Sequence, residues 1–71
     1  MNLTKAKCIN NDNRPVLEKD KVYFVDLDDI YTDIDGDSYI WVYMPSENNK
    51  NIPQNRRLCR CLYSRFAIIG E

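Results

Sequence analysis

The chain predicts an all-β fold in which five short strands close into one small barrel. Three observations carry that expectation. Apolar residues alternate with period two in several short runs, Asn, Asp, Gly and Pro separate the runs, and no stretch carries a helical period. Seventy-one residues make one domain, spanning 1–71, with no room for a second. Closure into a barrel would also remove the exposed edges of so small a sheet.

Thr4 to Ile9 reads as the first strand, with Ala6 and Cys8 on one face and Lys5 and Lys7 on the other. Asn10 to Pro15 supplies turn chemistry without periodicity. Lys21 to Leu27 is the second strand; Asp26 marks its polar face, so Tyr23, Val25 and Leu27 point inward. From Asp28 to Asp35 acids interrupt Ile30, Tyr31 and Ile34, which fits a ragged extension of that strand or a loop. Asp35-Gly36 is a hairpin signal, because glycine tolerates positive φ and aspartate tolerates it better than most residues. Ser38 to Met44 is the clearest strand. Tyr39, Trp41 and Tyr43 share one of its faces, and Ile40, Val42 and Met44 share the other. One set fills the core, and the alternation alone leaves open which. Pro45 to Asn55 reads as a polar loop whose two prolines exclude a central strand. Arg57 to Tyr63 is the fourth strand, Ser64-Arg65-Phe66 a tight turn, and Ala67-Ile68-Ile69 the last strand.

Lys7-Cys8-Ile9-Asn10 followed by Leu17-Glu18-Lys19-Asp20-Lys21-Val22-Tyr23-Phe24-Val25 resembles the opening of small SH3-like barrel proteins of phages, prophages and Gram-positive bacteria. The ending Tyr63-Ser64-Arg65-Phe66-Ala67-Ile68 is similar to theirs as well. The resemblance implies a five-stranded SH3-like barrel with a short 3-10 turn before the last strand. It implies no settled activity and no site residues. Two departures stand out: Asp20 replaces the usual glycine before the Lys-x-Tyr-x-Val strand, and the Ser46–Asn55 loop is longer than usual.

Composition excludes several chemistries. There is no histidine, so the usual general base and the commonest metal ligand are both missing, and a non-enzymatic protein is expected. No cofactor and no metal site is expected either. Asp33-Ile34-Asp35-Gly36-Asp37 looks like a calcium loop only superficially. An EF-hand places its glycine sixth and a glutamate twelfth, whereas here the glycine is fourth and the twelfth residue is Met44. Cys59-Arg60-Cys61 places two thiols on one face of a strand, and Cys8 brings the total to three. Zinc would need a fourth ligand, and same-strand neighbours at this spacing are poorly placed for a mutual disulfide. Small buried apolar residues are the first reading of the cysteines; a dimer-bridging metal or a redox pair is the second. Met1 to Lys5 lacks the apolar run of a signal peptide, and no segment approaches the ~20 apolar residues of a membrane span. A cytoplasmic protein with reduced thiols is expected, in the host cytoplasm if a phage encodes it.

What remains is charge and aromaticity. Asp26, Asp28, Asp29, Asp33, Asp35 and Asp37 fall within twelve residues without a base among them. Lys50, Arg56, Arg57, Arg60 and Arg65 follow without an acid. Solvated hairpin tips explain both runs at the least cost. The formal net charge of −1 argues against a simple nucleic-acid binder. The favoured function is a non-enzymatic protein-interaction module, encoded by a phage or prophage, that binds a host or defence protein and could inhibit or redirect it. Its contact residues would be Tyr39, Trp41 and Tyr43, with Asp28, Asp29, Asp33, Asp35 and Asp37 around them. A nucleic-acid-binding barrel using Arg56, Arg57, Arg60 and Arg65 is the first alternative. A structural homo-oligomer is the second.

Overall fold

A computed structural model describes residues 2–10 and 17–70. It is all-β, with β1 (Leu3–Cys8), β2 (Val22–Thr32), β3 (Ser38–Pro45), β4 (Pro53–Leu62) and β5 (Phe66–Gly70). A 3-10 turn, Tyr63–Arg65, joins β4 to β5. The five strands form one antiparallel sheet in the order β4-β3-β2-β1-β5. The expected closed barrel is not formed. Among the described residues no pairing joins β4 to β5, so both remain edges. Most of the turn expected at Asn10–Pro15 lies outside the described residues.

One face of the sheet carries the core. Ala6, Cys8, Leu17, Tyr23, Val25, Ile40, Val42, Cys61 and Phe66 are buried together, and Leu27, Met44 and Leu58 pack against them. The choice left open in β3 is thereby decided for the aliphatic set: Ile40 and Val42 have no exposed surface at all. Tyr23 closes the core with its ring edge-on to Phe66, centroids 6.3 Å apart. Its buried hydroxyl accepts the Glu18 N–H at 2.9 Å, which satisfies the one polar atom this ring brings inside.

Two irregularities re-aim side chains. In β2, Val25 pairs with Val42 and Ile30 with Ile40, so four residues, Asp26 to Asp29, stand opposite Trp41 alone. This divides the 28–35 stretch: it extends the strand to Thr32, and Asp33 to Asp35 belong to the turn that follows. The expectation that Asp26 faces solvent is corrected here. Asp26 is buried, and its Oδ1 accepts the N–H groups of Asn2, just before β1 (3.2 Å), and of Asp28, within the bulge (3.0 Å). In β4, Cys59 pairs with Val42 and Arg57 with Tyr43, which leaves Leu58 as an extra residue.

The prolines also depart from expectation. Pro45 ends β3, Pro53 begins β4, and the two are paired, so the loop shrinks to 46–52. Proline is admitted because Pro53 is the first residue of an edge strand, where a missing N–H breaks no interior ladder. The loop then reaches across the sheet: Lys5 Nζ of β1 donates to Asn51 Oδ1 at 2.7 Å. Since β2 lies between β3 and β1, that reach carries the loop over β2 on the face away from the core, where Phe24 is buried.

Candidate functional site

The face opposite the core is where the aromatic residues gather. Register builds it row by row. Tyr31 pairs with Tyr39 and Tyr39 with Leu62; Trp41 pairs with Arg60; Phe24 pairs with Tyr43 and Tyr43 with Arg57. Arg57 and Arg60 are three positions apart and would point to opposite faces of a regular strand. The extra residue Leu58 turns them to the same side. Trp41 consequently meets two guanidinium groups, with Arg57 Cζ 4.5 Å and Arg60 Cζ 4.9 Å from its ring centroid. Arg60 also sits 5.5 Å from the Tyr31 ring, and the Tyr31 and Tyr39 rings are 6.5 Å apart. Planar guanidinium on an indole face is among the stronger cation–π geometries, because the ring's negative face meets a weakly hydrated cation.

Electrostatics tie this patch to the acids around it. The Tyr43 hydroxyl accepts the Arg57 Nε–H at 3.3 Å. That bond, with smaller help from the Asp29 and Asp26 carboxylates, raises the Arg57 pKa against the opposing effect of desolvation. At the far end, partial desolvation and the carboxylates of Asp33, Asp37 and Asp35 raise the Tyr39 phenol above its ordinary value. Aromatic, basic and acidic groups thus form one continuous surface.

The candidate residues divide between exposed and buried positions. Tyr39 and Trp41 are half-buried on this face, Tyr31 is exposed beside them, and Arg56, Arg57 and Arg60 are exposed along β4. Tyr43 is buried, and so is Arg65, in the 3-10 turn. Asp28 and Asp29 belong to the β2 bulge. Asp33, Asp35 and Asp37 form the β2–β3 turn, where Asp33 Oδ1 accepts the N–H groups of Asp35 and Asp37, both at 3.0 Å. Tyr31 is invisible to the period-two pattern, which would place it on the same face as Tyr23 and Val25; only the β2 bulge sets it opposite Tyr39.

Other features bound the chemistry. Among the described residues no three Cys, Asp or Glu side chains converge where a metal ion could sit. No described helix is long and apolar enough to cross a membrane. An open cleft of about 470 Å³ lies between the β2–β3 turn and β5, lined by Leu62, Tyr63, Phe66 and Ile68 with Asp37 on its rim. No protein-family model, curated protein or solved structure matches the chain.

Proposed function

We propose that this chain is a non-enzymatic protein-interaction module whose contact surface is the outer face around Trp41. The observation that carries the reading is the stacking of both Arg57 and Arg60 on Trp41, with Tyr31 and Tyr39 alongside. Trp, Tyr and Arg are the residue types most enriched where protein interfaces concentrate their binding energy. Stacking also pre-orients both guanidinium groups, so less side-chain freedom is lost when a partner's carboxylate or carbonyl meets them. The remaining elements of the proposal are an SH3-like fold, a phage or prophage origin, and action on a host or defence protein in the host cytoplasm. They draw support from the chain's size, the 3-10 turn before β5 and the resemblance at 7–10, 17–25 and 63–68.

Nucleic-acid binding is the second reading, because an arginine-flanked indole on an open sheet can stack a base. The acids weigh against it. Asp26 and Asp29 act on Arg57, and Asp33, Asp35 and Asp37 stand at the Tyr39 end of the same face, where a phosphate backbone would be repelled.

One experiment separates the readings. Wild-type chain and Trp41→Ala are immobilised and exposed to the same bacterial lysate, with and without nuclease. A defined set of proteins retained by wild type, lost on Trp41→Ala and unaffected by nuclease is expected. Equal recovery by the two baits removes the outer face as the contact surface. Retention abolished by nuclease transfers the face to nucleic acid.

A further inference from the structure

The core-facing side of β4 holds a feature that the outer face does not use. Cys59 Sγ and Cys61 Sγ are 2.8 Å apart. In a regular strand two same-face residues are separated by two rises, roughly 6.6–6.8 Å between Cα atoms, at the upper limit of what a disulfide bridges. That limit is why the spacing alone argued against a mutual disulfide. The ladder is regular here, with Cys59 opposite Val42 and Cys61 opposite Ile40, and the two side chains bring their sulfur atoms together from the same face of the strand. Both thiols turn toward the core, with Cys61 2% exposed and Cys59 partly open to solvent. No disulfide joins the described cysteines.

We propose that Cys59 and Cys61 form a reversible dithiol–disulfide site, oxidised by low-molecular-weight disulfides of the glutathione class. The more accessible Cys59 is the entry point. Its thiolate, having given its proton to water, attacks one sulfur of the disulfide, forming a mixed disulfide and releasing one glutathione thiolate. The Cys61 thiolate then attacks the Cys59 sulfur, closing the Cys59–Cys61 bond and releasing the second glutathione thiolate. The two protons lost by the protein appear on the two glutathione thiols. The protein pair gives up two electrons and the glutathione disulfide accepts them, so the exchange balances without another oxidant. Disulfides in reducing compartments are mostly transient and regulatory, which is the behaviour a strand-neighbour pair would show.

Oxidation would be felt on the other side of the strand. Arg60 lies between the two cysteines in sequence and stacks on Trp41 through the opposite face. Closing the bond fixes the backbone on both sides of Arg60, and the indole reports the change. The site itself does not depend on what the outer face binds.

The test uses the intact folded chain. Reduced protein is incubated with oxidised glutathione, quenched with iodoacetamide and mapped by mass spectrometry. One alkylated thiol, at Cys8, is expected, with the 58–65 segment lighter by about 2 Da for the two hydrogens removed. Closure is expected at least about tenfold faster in folded chain than in urea, because the fold holds the thiols within reach. A reductant-reversible change in Trp41 emission is expected to accompany it and to be missing in Cys59→Ser. Three alkylated thiols, a persistent glutathione adduct on Cys59, a bond to Cys8, or equal rates in urea would each overturn the proposal.

Discussion

Asp20 has φ of 70°, in the left-handed region where a Cβ clashes with the following carbonyl. The conformation is forced by its neighbours: Asp20 donates its N–H to the Cys8 carbonyl at 2.7 Å, and Cys8 donates to Lys21 at 2.9 Å. The turn that glycine would make is therefore made, at some strain, by aspartate. Its ion pair with Lys7, 3.8 Å and exposed at both ends, returns little. Asp20→Gly is expected to raise stability by about 0.5 kcal/mol, since relief of strain outweighs the added freedom of the unfolded chain. A urea midpoint that falls instead would show that the carboxylate matters more than the backbone. A second residue-scale expectation concerns Tyr39, whose phenol is raised by desolvation and by Asp33, Asp37 and Asp35. The folded chain holds that proton more tightly than the unfolded chain, so the contribution of Tyr39 to stability is constant below about pH 10 and is lost as the pH rises through the folded pKa. In a spectrophotometric titration assigned with Tyr39→Phe, Asp37→Asn should move the phenol back toward its ordinary value. No movement would mean that Asp37 is not among the carboxylates that raise it.

Among the elements, the β2–β3 hairpin was the most legible. Gly36 N–H reaches the Asp33 carbonyl at 3.1 Å and Asp33 N–H the Asp37 carbonyl at 2.9 Å, with Gly36 at φ 89°. A turn of this kind needs specific residues at specific places, so Asp-Gly announces it. Asp33 Oδ1 then carries two backbone N–H groups. Asp33→Ala should cost on the order of 1–2 kcal/mol in urea denaturation, while Asp33→Asn, which keeps an acceptor oxygen, stays near wild type. Gly36→Ala meets no atom within 4 Å, so its expected cost of about 1–2 kcal/mol is purely conformational. If Asn at position 36 costs as much as Ala, φ is not the cause. Bulges behave oppositely. The acids at Asp28 and Asp29 break the apolar pattern but do not say how many residues stand opposite Trp41, and nothing around Leu58 marks an extra residue, because a bulge is a relation between two strands. The β4 bulge is what brings Arg57 and Arg60 to one indole, a placement that no single-strand pattern announces. The alternation in 39–44 revealed two faces; which one lies inward depends on Val25 and Cys61 across the sheet, beyond the reach of any local pattern.

At the scale of the whole molecule, stability depends on how β5 completes the core. A chain of this length buries a smaller share of its surface than larger domains do and sits near the low end of the 5–15 kcal/mol range, to order of magnitude. β5 comes last in sequence yet pairs with β1, and the 3-10 turn is anchored there by Ile9 N–H to the Arg65 carbonyl at 2.8 Å. Of its side chains only Phe66 enters the core, edge-on to Tyr23, while Ile68 and Ile69 remain exposed at 42% and 54%. Phe66→Ala is therefore expected to remove about 3–5 kcal/mol, enough to leave much of the population unfolded near 37 °C. Ile69→Ala should change stability by no more than about 0.5 kcal/mol. Thermal denaturation at two protein concentrations adds the discriminating arm. If a second copy covers the β5 edge, the midpoint rises with concentration and Ile69→Ala abolishes the rise. If β5 only closes its own core, both chains melt independently of concentration, and a partner must be sought on the Trp41 face, across the sheet from everything that Phe66 holds together.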